Sequence, residues 1–315
     1  MNRTLRTILF SLLTFSAGTG LFPPTALAEG IEPQRFASPN EAAAALVKAA
    51  QSGDSAALTA LFGTGHESLL SSGDDVEDKN NREGFASMAK EKLSIEKAGD
   101  DQAIIQTGNN GWPFPIPLVR QGDAWRFDAA QGENEIINRR IGRNELRTLS
   151  AIQGYQEAQA DYAGIDRDGD GVAEYAQKLA SSPGQQDGLF WETEPGQPQS
   201  PLGPLFAEAR AKGYALKGDP EKPVPYHGYY YRILTRQGSA ASGGKYDYII
   251  NGNMIAGFGL VAFPATYGAS GVMTFIVNHQ GRVYQQDLGP KTAEIAESLK
   301  AFNPDKGWAP VVLGD

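Results

Sequence analysis

The run ENEIINRRIGRNELRTLSAIQGYQEAQADYA, residues 133–163, decides how the rest of the chain is read. Ile136, Ile137, Ile141, Leu146, Leu149, Ile152 and Tyr155 recur at three and four, the period of one helix face. Gly142 and Gly154 weaken that pattern and predict a bend or a division. A long helix here splits the chain in two. Helices and strands precede it; an acidic loop and further strands follow.

Upstream, Ser38-Pro39-Asn40-Glu41 has the layout of a helix start, with Ser38 as N-cap, Pro39 at the first helical position and Glu41 closing a capping box. This helix runs to Gln51 and stops at Ser52-Gly53. Asp54 caps a second helix through Phe62. Residues 63–83 are polar and read as a loop, followed by a helix over 82–92. Strands are expected at 93–96, 103–106, 116–120 and 124–128, the last two joined through Gln121-Gly122-Asp123 as a hairpin. Together these predict an N-terminal α+β domain over 38–132, preceded by a linker at 29–37.

Downstream, a second domain over 133–315 is expected. Short helices are predicted at 175–180 and 204–212 on either side of a Pro- and Gly-rich stretch. Strands follow at 229–234, 246–250, 259–263, 272–277 and 283–288, then a helix over 291–302. The fold class is therefore α+β throughout, with antiparallel sheets.

Arg3 and Arg6, the apolar run from Ile8 to Phe15, and the small residues ending Ala26-Leu27-Ala28 form a secretory leader over residues 1–28. Cleavage is expected after Ala28. No later run is long enough to cross a membrane as a helix, so no membrane span is expected after cleavage. The chain has no cysteine, which removes disulfides and thiolate chemistry. Its net charge of −9 repels phosphate backbones and argues against nucleic acid as partner.

Four strings, Arg139–Leu146 (RRIGRNEL), Ser200–Leu205 (SPLGPL), Tyr226–Tyr231 (YHGYYY) and Tyr267–Phe275 (YGASGVMTF), resemble an exported bacterial family without assigned function, domain of unknown function 2950. That resemblance implies location and a two-part architecture, and no reaction. The paired helices and the closing Trp-Arg-Phe-Asp strand of the first part resemble the cone-shaped domains related to nuclear transport factor 2. The second half is similar to the globular part of type IV pilins and pseudopilins. It departs from them in lacking a Gly-Phe-Thr-type processing site and in carrying Arg139, Arg140, Arg143, Glu145 and Arg147 where a pilin helix is apolar.

Asp166-Arg167-Asp168-Gly169-Asp170-Gly171-Val172-Ala173-Glu174 places carboxylates at alternate positions with a glycine for the sharp turn. That spacing suits calcium: Asp166, Asp168, Asp170, the Val172 carbonyl and Glu174 are the candidate ligands. Position twelve of an EF-hand would be Gln177, so the expected site is a shorter, structural loop. His66, His227 and His279 have no zinc spacing, and no nucleophile motif is present. Ser270, between two glycines, is the serine a dispersed hydrolase would use. Tyr226, Tyr229, Tyr230 and Tyr231, with Phe190, Trp191 and Trp112, are candidate aromatic platforms for a glycan or protein partner, or ordinary core. The expectation is an envelope protein, periplasmic or extracellular, acting as a non-catalytic binding or scaffold module. An envelope hydrolase is the alternative, and a pocket uniting His227 or Ser270 with a carboxylate would favour it.

Overall fold

Ser38 accepts a hydrogen bond from the Glu41 amide and Gly53 ends the helix in the left-handed region, so α1 spans Pro39–Ser52. Asp54 caps α2, Ser55–Phe62, through the amides of Ala56 and Ala57. The computed structural model describes residues 30–167, 169–194, 196–214 and 224–312. The expected leader, residues 1–28, lies outside them.

The polar stretch 63–83 is more ordered than its composition predicts. It holds the short helix α3, Glu67–Leu70, and then α4, Asp75–Glu91, which begins well before residue 82. Asp74 is the reason, because its carboxylate caps the Glu77 amide at 3.0 Å and Asp75, Glu77 and Asp78 fill the first turn.

The first sheet is antiparallel, with β1 (Leu93–Lys97), β2 (Gln102–Thr107), β3 (Trp112–Pro113), β4 (Leu118–Gln121) and β5 (Ala124–Phe127). Its path is β1-β2-β4-β5, with β3 on β2. Phe36 lies in the expected linker, yet it is buried and its backbone bonds to Trp125 extend this sheet. Helices α1 and α2 pack with Phe36, Ile105, Leu118 and Phe127 into one apolar core.

Helix α5, Ala129–Tyr162, is continuous through Gly142 and Gly154. It serves both halves, with Ile136 on the first core and Ile152, Tyr155, Ala158 and Tyr162 in the second. Its polar middle is used rather than merely solvated. Arg140 donates to the Ser68 and Leu69 carbonyls, Asn144 donates to the Ser270 carbonyl, and Glu145 accepts from the Val272 and Met273 amides. The described residues from Ile31 onward form one compact unit, and the expected boundary at 132/133 falls inside α5.

Between α5 and α6, Gly203–Ala211, the described residues form no helix or strand. The helix expected over 175–180 does not form, because tertiary partners take its backbone. Tyr175 donates to the Met254 carbonyl, Ala176 to the Gln159 side chain, and Ala180 bridges Phe190. Next come β6 (Tyr229–Leu234), β7 (Arg236–Gln237), β8 (Tyr246–Asp247), β9 (Ile249–Ile250), β10 (Asn253–Met254), β11 (Gly259–Pro264), β12 (Met273–Asn278) and β13 (Tyr284–Asp287). Helix α7, Thr292–Ser298, and β14, Ala309–Pro310, follow among the described residues. The strand expected over 246–250 is interrupted at Tyr248, which turns fully inward and donates to the Gln237 side chain. The main sheet runs β14-β13-β12-β11-β6, antiparallel, so β6 is an edge strand. Among the described residues, no helix is long and apolar enough to cross a membrane.

Candidate functional site

A cleft of about 1410 Å³ opens beside β6. Phe190, Trp191, Phe206, Tyr226, Tyr230 and Tyr231 line it, and each ring is only partly buried. Phe190 and Phe206 stack at 3.9 Å, so the extended 189–191 segment and α6 form one wall. The opposite wall is the edge strand, whose outer backbone has no neighbouring strand within the sheet. Tyr231 is fixed from beneath by a 3.3 Å bond to the Thr148 hydroxyl of α5. Burial, then the Glu208 charge, push the Tyr226 phenol up to about 12, so it stays a hydrogen-bond donor near neutral pH.

Both charged side chains in the lining have partners. Lys178 pairs with Asp187 and Glu192 with Arg210. Asp187 also accepts from the amide and hydroxyl of Ser182, at 2.7 and 2.8 Å. Burial would raise the Asp187 pKa, but the Lys178 bond and the two Ser182 bonds outweigh it and hold it at about 2. The rim segment 182–187 is thus fastened, and the cleft offers an uncharged interior.

At one end of β6 stands a charged junction. His227 and Gly228 both have positive φ, 52° and 76°, and Tyr226 bridges Tyr229 across them, as in a two-residue hairpin turn of type I′. Asp74 holds the turn, accepting from the Gly228 amide and the Tyr214 hydroxyl at 2.8 Å each while it caps α4. The Tyr214 hydroxyl in turn accepts from the His227 amide at 3.2 Å. His227 Nδ1 lies 3.3 Å from Glu77 Oε2, and Nε2 lies 3.1 Å from Lys212 Nζ. A tautomer with hydrogen on Nδ1 satisfies both, donating to Glu77 and accepting from Lys212. The other Glu77 oxygen accepts from Arg147 at 2.6 Å.

His227 therefore does meet a carboxylate, as a dispersed hydrolase would require. Both its ring nitrogens are engaged, however, and the side chain is 3% exposed. The Ser270 hydroxyl is also committed, accepting from the Thr266 amide and donating to the Thr266 carbonyl. A nucleophile and its base must share a hydrogen bond, and this pair does not.

The acidic loop straps the end of α5 to the β9–β10 hairpin. Asp166 accepts from the Gly169 and Gly171 amides at 2.8 and 2.9 Å. Asp170 accepts from the Val172 amide and the Asn253 side chain, and Glu174 from the Met254 amide at 2.6 Å. Asp168 lies outside the described residues, and among the described residues no three acidic or histidine side chains converge. Asn251 and Gly252, both with positive φ, form the tip of the hairpin that receives the strap.

The remaining candidates are dispersed. His66 and Ser68 both contact Glu133, His279 packs edge-on to Tyr248, and Trp112 carries Arg139 over its ring at 5.1 Å. Tyr229 is fully buried in the second core. Reading the sequence missed Phe206, Tyr214, Asp74 and Glu77. For the last two the spacing Asp74-x-x-Glu77 is the signal, since it is that of a capping box.

The family model described as "Protein of unknown function (DUF2950)" matches residues 33–311. No curated protein and no solved structure matches the chain.

Proposed function

Because the chain belongs to that family of unknown function, whose description carries no reaction, we propose a role from the geometry alone: an exported bacterial envelope protein that binds an extended, uncharged segment of a partner polypeptide. The observation that carries this reading is the aromatic cleft lying along the free edge of β6. A free edge offers unpaired backbone groups to an incoming strand, and partly exposed rings beside it take alternate side chains. Paired charges in the lining favour an uncharged occupant. Export rests on the leader over residues 1–28, and a helix, acidic loop and antiparallel sheet without an apolar helix suit a pilin-like domain that is released rather than assembled.

Loop 166–174 belongs to the same proposal as a structural calcium site. A carboxylate oxygen that accepts from an amide still has a lone pair for a cation, so the turns seen at Asp166, Asp170 and Glu174 are compatible with an ion. Occupancy would neutralise clustered acids at the point where α5 hands over to the hairpin. The hydrolase alternative draws on His227 meeting Glu77, and the committed nitrogens and Ser270 hydroxyl give that contact a structural role instead.

The test pans a display library of short random peptides against the protein without its leader and measures binding by tryptophan fluorescence. Enriched peptides should be uncharged and rich in strand-forming residues, and Phe206→Ala and Tyr231→Ala should weaken them. Methylating alternate backbone nitrogens should abolish binding in one register only. Equal tolerance of both methylation registers, or capture of soluble glycan strands in place of peptides, would refute strand addition.

A further inference from the structure

A second pocket, of about 250 Å³, lies in the other half of the molecule between α1, α2, α4 and α5. Its interior is apolar, formed by Leu46, Leu58, Phe62, Phe85 and Ile136. Its charged lining is the reverse of the protein as a whole. Arg82, Arg139, Arg140 and Arg143 face it with Asp78 as the one acid, on a chain of net charge −9.

Two of these arginines are already used. Arg140 is buried and donates to the Ser68 and Leu69 carbonyls, while Arg139 pairs with Glu135 and lies over Trp112. The other two are not. Among the described residues Arg82 makes no hydrogen bond or ion pair, and Arg143 has a single long contact, 3.4 Å, to the Asn81 side chain. Both side chains nonetheless line the pocket, Arg82 from α4 and Arg143 from α5. Burial lowers the pKa of both Arg140 and Arg143, and the nearby Asp78 and Glu77 charges offset it only in part.

We propose that this pocket binds a single-chain alkyl carboxylate, its chain in the apolar interior and its carboxylate held by Arg82 and Arg143. Guanidinium groups match a carboxylate in plane and can bind it with two parallel hydrogen bonds. A dry cavity of about 150 Å³ accepts benzene, so this one takes a chain of roughly eight to ten carbons. The site is separate from the aromatic cleft and independent of the function proposed for it.

The experiment titrates hexanoate, octanoate and decanoate into the protein by calorimetry, with decanol as the uncharged comparison. Affinity should rise about fourfold per methylene until the pocket is full. The double variant Arg82→Gln/Arg143→Gln should lose about tenfold or more for decanoate and leave decanol unchanged. Neither side chain holds the fold together, so the variant should melt as the wild type does. Absence of decanoate binding to the wild type overturns the proposal. So does an equal loss for decanoate and decanol, or binding that responds to Phe206→Ala in the aromatic cleft rather than to the arginines.

Discussion

Glu77→Gln removes one charge from the junction while keeping its shape, and the structure fixes what this should cost. The carboxylate is 5% exposed, with one oxygen 2.6 Å from Arg147 and the other 3.3 Å from His227. Burial alone would raise its pKa, but the His227 hydrogen bond and the Arg147 charge and bond outweigh burial and hold it at about 2, against an ordinary 4.5. That difference corresponds to about 3 kcal/mol of stability at neutral pH. Between these two values the unfolded chain binds a proton that the folded chain does not. Stability from this group therefore rises with pH across that window, is complete above about pH 4.5, and is lost as pH falls through about 2. Urea unfolding followed by tryptophan fluorescence should show the variant about 3 kcal/mol less stable near pH 7 and less than half that near pH 3. A deficit that stays constant over this range, or one below about 1 kcal/mol at neutral pH, would refute the assignment of the charge to Glu77.

Gly132→Ala should destabilise by roughly 1–3 kcal/mol in the same assay although alanine favours helices, because its Cβ would lie 2.6 Å from the Pro115 carbonyl and 2.7 Å from Ile116 Cα. Gly142→Ala, on the same helix with nothing within 4 Å, should instead stabilise by about 0.5–1 kcal/mol; equal signs for the two would contradict the close approach of α5 to residues 115–116. Calcium at about tenfold over its dissociation constant should stabilise the wild type by about 1.4 kcal/mol over chelator, and Asp166→Ala should remove that gain. An unchanged wild-type melting temperature at saturating calcium defeats the ion site. The mass of the secreted protein should correspond to a chain starting at Glu29, and a retained Met1 would disprove cleavage after Ala28.

What the sequence made legible follows from where the forces are local. The helix α5 as an element, the caps at Ser38 and Asp54, and most of the strands carry their signals within a few residues, and they appear with ends shifted by a few positions; the apolar stripe of α5 holds only in part, since Leu146 is 63% exposed while Arg140, Asn144 and Thr148 are buried. Helix α4 was obscured because its first turns, Asp75 to Gly84, contain almost no apolar residue. Its start is stabilised by an aspartate cap and by the Glu77 carboxylate, whose partners are Arg147 and His227, 70 and 150 residues away. The segment 175–180 failed in the opposite sense. Its local pattern suits a helix, but Met254, Gln159 and Phe190 claim its backbone, and tertiary pairing overrode propensity. The cleft was hidden for the same reason: its rings come from residues 190–191, 206, 226 and 230–231, and only the placement of α6 opposite an edge strand collects them.

His227 shows how the charged junction and the aromatic cleft depend on each other. A histidine at φ 52° is held in a region that a side chain disfavours, and such strain persists only where the surroundings over-determine it. Here its amide, both ring nitrogens and the following amide are all bonded, to Tyr214, Glu77, Lys212 and Asp74. The turn so fixed sets the start of β6, and with it Tyr226, whose ring lies 4.2 Å from that of His227. One residue of α5 after Arg147, Thr148 holds Tyr231. The same short segment of helix thus anchors the charge of Glu77 and a tyrosine of the cleft. That coupling explains why charged groups are buried at this junction: their work is to hold an edge strand and its rings in one position.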